Sequence, residues 1–344
     1  MVECKDLFIN NRRYIGSKKR LLEPIQDAIL KHFGRKKCKI ADLFAGTGIV
    51  SDFFANQNYS VIVNDLLYSN FVAYQTWLSS EKIDINKVST YIKSFNNIKT
   101  SKLKDNYFSE TYGNKYFARN DAKKIGLIRD IIKEEESSLE KREYFALIAS
   151  LMYAADKIAN TVGHFEHYLS TPPVEKNLNL RIPFIPQRKI KAHLFNEDAN
   201  QLVRKIKCDV AYIDPPYNAR QYINFYHVLE NLAKWEKPVE FEGKSMKFKR
   251  NHLKSNYSKA RAQEFFRDLL SNLNAKLIVV SYNNTYNASS SASNNKISEK
   301  ALEDLLKEKG KVSINRLKHK FFNAGKTRFN NHKEYLYVCK VRGG

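Results

Sequence analysis

The sequence predicts an α/β fold built on a mainly parallel β-sheet. Residues 210–213 (Val-Ala-Tyr-Ile) form a continuous apolar run, which is typical of a strand buried on both faces, and two prolines soon end it. Residues 38–44 (Cys-Lys-Ile-Ala-Asp-Leu-Phe) predict a second strand before Gly46 and Gly48, and residues 49–56 continue as a helix. Such a glycine turn lets a ligand approach the backbone, and ligands of α/β sheets bind outside the carboxyl ends of strands.

The other elements follow from the spacing of apolar residues and from the turn residues between them. Residues 142–159 are apolar on all sides, which predicts a buried helix. The low-complexity tract at 288–295 predicts a mobile loop tip. Further strands are predicted at residues 59–63, 189–195, 275–282, 311–321 and 334–341, and helices at residues 21–32, 121–136, 140–160, 196–206, 222–235, 262–272 and 298–309.

The composition indicates an ordered, basic protein. The chain has 344 residues, 43% of them hydrophobic, which is enough for an α/β domain of ordinary size and an appended domain. Its formal net charge is +23, and a surplus of this size favours nucleic acid as the partner. The alternative is a general bias toward Lys and Asn that has no binding role.

The cysteines indicate neither a metal site nor a disulfide framework. Their scattered positions lack the short spacings of zinc ligands, so we expect no bound metal and a reducing cytoplasm. The sequence shows no signal peptide and no apolar stretch near 18 residues, and we expect no membrane span. The cysteines are Cys4, Cys38, Cys208 and Cys339.

The stretch Asp-Pro-Pro-Tyr at 214–217 is the strongest candidate for catalysis. Asp214 follows a strand directly, and the two prolines stiffen the loop behind it. The Asp214 carboxylate and the Pro215 carbonyl are two acceptors that suit the two hydrogens of an amino group on a planar base. Tyr217 offers a flat face for stacking on that base, a contact worth about 1–3 kcal/mol. An ordinary Asp-Pro turn is the alternative.

Acidic residues at other strand ends predict a ligand site around the glycine turn. Asp42 lies just before the turn, and Asp198 lies beyond the strand at 189–195. Asp65 follows the strand at 59–63, where a ribose-binding carboxylate belongs in a nucleoside-binding α/β unit. A helix N-cap is the alternative role for Asp65.

Three motifs together resemble those of the S-adenosylmethionine-dependent N6-adenine DNA methyltransferases. They are Arg-Tyr-Ile-Gly-Ser-Lys at 13–18, Phe-Ala-Gly-Thr-Gly at 44–48 and Asp-Pro-Pro-Tyr at 214–217. Their order resembles the Dam-like alpha group of restriction-modification methylases, and the resemblance covers about residues 1–65 and 188–341. It implies a Rossmann-like mixed seven-stranded methyltransferase sheet. Residues 1–69 and 188–344 would form the catalytic domain, and residues 70–187 an inserted, mainly helical target-recognition region.

The resemblance also implies a role for each motif residue. The catalytic motif would consist of Asp214, Pro215, Pro216 and Tyr217, which hold a flipped-out adenine. The cofactor site would consist of Tyr14 and Lys18 at the methionine end of S-adenosylmethionine, Phe44, Ala45 and Gly46 beneath it, Asp65 at the ribose, Asp198 at the adenine amino group, and Asp42 and Gly48 beside them. The implied partners are double-stranded DNA and a cognate restriction endonuclease that acts separately, in a bacterial cytoplasm at the nucleoid.

Residues 237–261 are rich in Lys and Arg, among them Lys247, Lys249 and Arg250. We expect a flexible loop over the substrate face that contacts DNA phosphates. A solvated run of charges is the alternative.

Three other functions fit parts of the pattern. Enzymes of the same fold that act on RNA adenine or on a protein amide more often have Asn before the prolines, so Asp214 disfavours them. The dinucleotide fingerprint of an oxidoreductase is disfavoured by Ser51 at its third small position. A non-enzymatic DNA-binding protein would explain the charge but not the acids at the strand ends.

Overall fold

A computed structural model describes residues 6–16, 18–34, 36–188, 191–283, 295–318 and 333–343. As far as it is described, the chain divides into two compact units. The first unit comprises Met1–Gly16, Leu67–Arg188 and Ile223–Asn251, and the second comprises Ser17–Leu66, Lys189–Tyr222 and His252–Gly344.

The helices and strands are numbered in chain order. The helices are α1 (Leu22–Phe33), α2 (Ile49–Asn56), α3 (Tyr68–Trp77), α4 (Ile85–Asn97), α5 (Tyr107–Tyr112), α6 (Arg119–Glu134), α7 (Lys141–Ile158), α8 (Ala199–Leu202), α9 (Tyr222–Lys234), α10 (Ala262–Asn272) and α11 (Glu299–Lys309). The strands are β1 (Lys39–Asp42), β2 (Ser60–Asn64), β3 (Ala192–Phe195), β4 (Val210–Ile213), β5 (Phe241–Glu242), β6 (Lys247–Phe248), β7 (Leu277–Asn283), β8 (Gly310–Lys318) and β9 (Lys333–Val341).

Within the described residues, the second unit is built on a seven-stranded sheet in the order β3-β2-β1-β4-β7-β9-β8. The five strands from β3 to β7 are parallel, and β9 is antiparallel to both of its neighbours. From β1 the chain continues to β2 and β3 on one side, and it later returns to β4 and β7 on the other. The β1–β4 pair is therefore the switch point of the sheet, where ligands of open α/β sheets bind. The mixed seven-stranded α/β fold predicted from the sequence is confirmed.

The central strands have the burial that their apolar runs predict. All four residues of β4 are buried, and so are the first six residues of β7. Neither strand alternates between buried and exposed positions, because helices cover both faces of a parallel sheet. The side chains of α10 and α11 pack into one core cluster with residues of β4 and β7, and this core fixes the ends of the two strands.

The first unit is mainly helical and centres on α7, which is buried along most of its length. Helix α3 has no side-chain cap of its own. The buried Glu230 of α9 supplies one, because its carboxylate accepts hydrogen bonds from the backbone N–H groups of Tyr68 and Ser69, both at 2.9 Å. A carboxylate at this position also complements the positive end of the helix dipole.

Some boundaries differ from the predictions. The helix predicted at 196–206 is only α8, which ends at Leu202. Helices α3, α4 and α5 were not predicted, because polar and aromatic residues interrupt the apolar spacing in this region. The first unit includes the whole predicted insert at 70–187, and it adds residues 1–16 and 223–251, which the prediction assigned to the catalytic domain. Residues 189–190, 288–294 and 319–321 of the predicted elements lie outside the described residues.

Among the described helices, none has both the length and the apolar character needed to cross a membrane.

Candidate active site

The candidate site lies at the carboxyl ends of β1 and β4, the two strands at the switch point. Their register pairs Asp42 with Tyr212, and the backbone N–H of Leu43 donates to the Tyr212 carbonyl at 3.2 Å. The glycine turn therefore leaves β1 beside the loop that begins with Asp214. The two stretches that the sequence singled out meet at one edge of the sheet.

The glycine turn adopts backbone conformations that require glycine. Gly46 and Gly48 have φ angles of 55° and 80°, in the left-handed region that other residues rarely adopt. The N–H of Gly48 donates to the Ala45 carbonyl at 2.7 Å, and the N–H of Gly46 donates to Oδ2 of Asp65 at 3.0 Å. Asp65 thus braces the turn. It does not cap α3, whose N-cap position is Leu67.

Asp42 lies beneath the turn with its side chain buried. Its Oδ2 accepts a hydrogen bond from the Ser51 hydroxyl at 2.8 Å, and among the described residues no donor reaches Oδ1. Burial raises the pKa of Asp42 to about 7, against the lowering effect of the Ser51 hydrogen bond. Ser51 occupies the third small position of a dinucleotide fingerprint. Its hydroxyl has a structural role here, because it hydrogen-bonds to Asp42.

Asp214 is held by two side chains of the second unit, those of Lys18 and Ser281. Its Oδ1 lies 3.2 Å from Nζ of Lys18, and each of these two side chains is 16% exposed. The Ser281 hydroxyl donates to the same oxygen at 2.8 Å. Burial raises the pKa of Asp214, although Lys18 and Ser281 both oppose this change. Burial also disfavours the charge on Lys18, but the carboxylates of Asp214 and Glu334 together outweigh this effect, and the pKa of Lys18 is raised.

The other three residues of the Asp-Pro-Pro-Tyr motif differ in their burial and in their contacts. Pro215 is buried, whereas the carbonyl of the half-buried Pro216 accepts from the Ser258 hydroxyl at 3.4 Å. Tyr217 is only 8% exposed. Its ring packs edge-on against Tyr282, with centroids 4.4 Å apart, and its hydroxyl donates to the Ser281 carbonyl. The stacking face predicted for Tyr217 thus belongs to a ring that is also part of the core.

The outer residues of the predicted cofactor site have local partners. Oδ1 of Asp198 accepts from the N–H groups of Asn200 and Gln201 at the start of α8, so Asp198 is a helix N-cap. The Phe44 ring packs edge-on against the ring of Tyr257 at 5.0 Å. Ala45 is buried, and its N–H donates to the carbonyl of the last residue of β2 at 2.8 Å.

Tyr14 belongs to the first unit. Its ring stacks on Tyr226 of α9, with centroids 4.8 Å apart and an angle of 6° between the planes. The buried Arg12 guanidinium lies over the Tyr226 ring at 4.8 Å and donates to Oδ1 of Asn70 at 3.0 Å. Tyr14 is therefore anchored within its own unit, and Lys18 is placed in the other.

The motifs identify the family of this chain by comparison with a protein-family model. The model for D12 class N6 adenine-specific DNA methyltransferases matches residues 14–286, a range that includes the glycine turn, the Asp-Pro-Pro-Tyr loop and Ser281. This chain is a member of the D12 class. The family resemblance drawn from the motifs is confirmed, and the alternatives with other chemistry are not favoured.

Curated relatives of this D12 member include modification methylases. Modification methylase StsI of Streptococcus sanguinis is 35% identical over 332 residues, which cover 91% of this chain and 49% of that protein. Modification methylase LlaI of Lactococcus lactis subsp. lactis is 34% identical over 295 residues, with 79% and 46% covered. Type II methyltransferase M.CviAII of Paramecium bursaria Chlorella virus 1 is 31% identical over 346 residues, with 97% and 99% covered. The chain thus spans about half the length of the first two relatives and nearly all of the third.

The D12 site contains residues that were not predicted from the sequence. Ser281 and Tyr212 contact each other and lie beside Asp214. The Glu334 carboxylate of β9 contributes to the raised pKa of both Lys18 and Asp214. Burial raises the pKa of Tyr222, and the charges of Asp214 and Asp65 add to the effect. The available signal was a serine directly after the apolar run 277–280 of the predicted strand.

The basic stretch at 237–261 is not the flexible loop that was predicted. Residues 237–251 contain the β5–β6 hairpin, and residues 252–261 contain a short 3-10 helix with a buried Tyr257. The Arg250 side chain is 8% exposed. It donates to Oδ1 of Asn224 and to Oε2 of Glu242, at 2.8 and 2.9 Å. A buried guanidinium with these partners holds the hairpin in place, and of the three basic residues named above, Lys249 is exposed.

Proposed function

We propose that this chain transfers a methyl group from S-adenosylmethionine to N6 of a flipped-out adenine in duplex DNA. The observation that carries the proposal is the position of Asp214, a carboxylate at the switch point with one oxygen fixed by Lys18 and Ser281. Membership of the D12 class and the modification methylases among the relatives support it.

The residues around the glycine turn fit this cofactor better than one with phosphates. A phosphate site needs free backbone N–H groups, but those of Gly46 and Gly48 already donate to Asp65 and Ala45. The carboxylates of Asp65 and Asp214 both lie close enough to Asp42 to raise the pKa of its side chain. Such a site suits a cationic sulfonium. The unpaired Oδ1 of Asp42 adds an acceptor without a donor among the described residues.

The chain's own residues would position the adenine and stabilise charge. When bound, the cofactor supplies an activated methyl group. Oδ2 of Asp214 and the Pro215 carbonyl accept hydrogen bonds from the adenine amino group, which directs its lone pair away from the ring. As the N6–carbon bond forms, N6 becomes positive, and the Asp214 carboxylate stabilises this charge. The same carboxylate then accepts the N6 proton, which its raised pKa favours.

The remaining roles in the proposal concern the context of the reaction. We place target recognition in residues 70–187 and assign Phe44, Ala45, Gly48, Asp198 and Tyr14 to the surroundings of the cofactor. The relatives named modification methylases support a protective role against a cognate restriction endonuclease that acts separately. With chromosomal DNA as the substrate, we propose that the reaction takes place in a bacterial cytoplasm at the nucleoid.

A methyl-transfer assay on unmethylated plasmid DNA tests the proposal. With labelled S-adenosylmethionine, the protein should label the DNA, and sequencing should find N6-methyladenine within one short motif. Asp214→Asn should abolish transfer and still bind the cofactor in calorimetry. Asp27→Asn, an exposed aspartate on α1 of the same unit, is the matched control. Labelling of RNA and not DNA would refute the proposal, as would full activity of Asp214→Asn.

A second experiment tests the assignment of Asp65. Asp65→Ala should weaken S-adenosylmethionine binding by about 1–3 kcal/mol, because ribose hydroxyls are left unpaired and the N–H of Gly46 loses its acceptor. Unchanged affinity in a folded Asp65→Ala protein would remove Asp65 from the cofactor site.

A further inference from the structure

A chain of hydrogen bonds leads from the core of the sheet to Asp214. The Tyr212 hydroxyl of β4 donates to Oγ of Ser281 at 3.0 Å. Ser281, on β7, then donates to Oδ1 of Asp214 at 2.8 Å. Both donors are almost fully buried. Each hydroxyl hydrogen in this chain has one acceptor, so its direction runs from Tyr212 through Ser281 to the carboxylate.

The register of the sheet produces this arrangement. In the parallel β4–β7 pair, Ile213 lies opposite Val280. The next residues on the two strands are Asp214 and Ser281, which therefore reach the same level at the edge of the sheet. Ser281 is also held through its backbone, since its carbonyl accepts from the Tyr217 hydroxyl. The serine is fixed from two sides before any substrate binds.

The two oxygens of Asp214 have unequal surroundings. Oδ1 is near the Lys18 ammonium and accepts from Ser281. No described residue donates to Oδ2. The Asp214 side chain is 16% exposed. Two donors on one oxygen leave little freedom for rotation of the carboxylate about its last bond. The other oxygen is then directed to a fixed position.

We propose that Ser281 is a positioning residue for methyl transfer, which with Tyr212 orients Asp214 so that Oδ2 faces the adenine amino group. This inference rests on the proposed function and assigns a residue to it that the motifs do not include. The chain of hydroxyls does not conduct protons to solvent, because its far end, the Tyr212 hydroxyl, lies in the core. Its role is orientation and stabilisation of the carboxylate.

Other charges also act on Asp214, and the test must account for them. Loss of the Ser281 hydroxyl removes one hydrogen-bond donor to Asp214 and leaves the surrounding charged groups in place. The charged groups that act on Asp214 are Lys18 and Glu334, and the Asp214 carboxylate in turn raises the pKa of Asp42, Tyr212, Tyr217 and Tyr222.

The experiment compares Ser281→Ala, Ser281→Thr and Tyr212→Phe in single-turnover methyl transfer to plasmid DNA across pH. Ser281→Ala should slow transfer by about tenfold or more, the scale for losing a hydrogen bond to a charged group. Its acid limb should move to higher pH, since the carboxylate becomes easier to protonate. Ser281→Thr keeps the hydroxyl and should restore both the rate and the limb. Tyr212→Phe should give a smaller loss, because Ser281 still donates.

A second readout separates this inference from the proposed function. The carboxyl ¹³C resonance of Asp214, assigned by its absence in Asp214→Asn, should titrate at higher pH in Ser281→Ala than in the wild type. This measurement needs neither cofactor nor DNA, so it stands even if the wild type methylates nothing. An unchanged Asp214 titration, or a rate loss that Ser281→Thr shares without a shift of the acid limb, would overturn the positioning role.

Discussion

Nζ of Lys18 lies 3.2 Å from Oδ1 of Asp214, although these residues are far apart in the chain. The family resemblance implied a role for Lys18 at the cofactor and for Asp214 at the adenine. The ion pair connects the two predicted sites, because the same ammonium that would contact the cofactor also favours the ionised form of the carboxylate proposed for catalysis. Burial raises the pKa of Asp214, and Lys18 limits that rise.

We expect Lys18→Met to impair catalysis mainly through Asp214. Removing one partner of a buried pair leaves an uncompensated charge, which protonation then neutralises. Since methyl transfer needs the carboxylate, activity falls as pH drops through its pKa, and the acid limb should lie at higher pH in Lys18→Met. At neutral pH the single-turnover rate should fall by about tenfold or more.

Calorimetry with S-adenosylmethionine separates this effect from a direct role of Lys18 in cofactor binding. Lys19→Met, the exposed neighbour, is the control and should behave like the wild type. If Lys18→Met loses cofactor affinity and keeps the wild-type pH profile, the ion pair does not tune Asp214.

Asp42 should make the protein less stable as pH rises. Its pKa of about 7 in the folded protein exceeds the unfolded value of about 3.9, so the folded state binds more protons between these values. The free energy of unfolding should therefore fall across this window, by roughly 3–5 kcal/mol from this group alone. Asp42→Asn removes the titration, and thermal denaturation should show it more stable than the wild type at pH 8 and closer to it at pH 4. A constant difference at the two pH values would contradict the raised pKa.

Tyr217 should contribute to stability as well as to the site. Tyr217→Phe keeps the ring against Tyr282 but loses the hydrogen bond to the Ser281 carbonyl, which should cost about 0.5–1.5 kcal/mol in urea unfolding and reduce turnover modestly. Tyr217→Leu keeps an apolar side chain without the aromatic face, and its turnover should fall strongly. Equal turnover in the two variants would argue against stacking on the adenine. Tyr217→Ala is less informative, because a cavity at this position destabilises the fold by about 3–5 kcal/mol.

The salt dependence of DNA binding should distinguish exposed from buried basic side chains in the hairpin region. Lys244 and Lys249 are exposed. If each neutralises one phosphate, changing both to Ala should flatten the slope of log K against log salt by about 2. The double change to Arg keeps the charges and should keep the slope. Arg250→Ala should lower the unfolding temperature instead, since it breaks buried contacts with Asn224 and Glu242. An unchanged slope in the double Ala variant would place the DNA elsewhere.

The sequence by itself determined the strands around the switch point and the two motif loops. An apolar run followed by Asp-Pro-Pro is a local signal, and so is a short strand pattern followed by paired glycines, because burial and backbone constraints act on neighbours along the chain. These signals predicted β1, β4 and the turn at Gly46 and Gly48. They also predicted the family, which the match over residues 14–286 confirms.

Only the tertiary structure decided which residues surround Asp214. Hydrophobic periodicity reports which side of an element is buried, but it does not report which strand lies beside it. The parallel register of β4 with β7 places Ser281 next to Asp214, and the packing that brings Lys18 to the same carboxylate joins distant parts of the chain. Likewise, Arg250 is one of several basic residues in a charged stretch of the sequence. Only its contacts with Glu242 and Asn224 show that its side chain is buried and structural. Pairing across a fold depends on contacts that are remote in sequence, and local pattern carries no information about them.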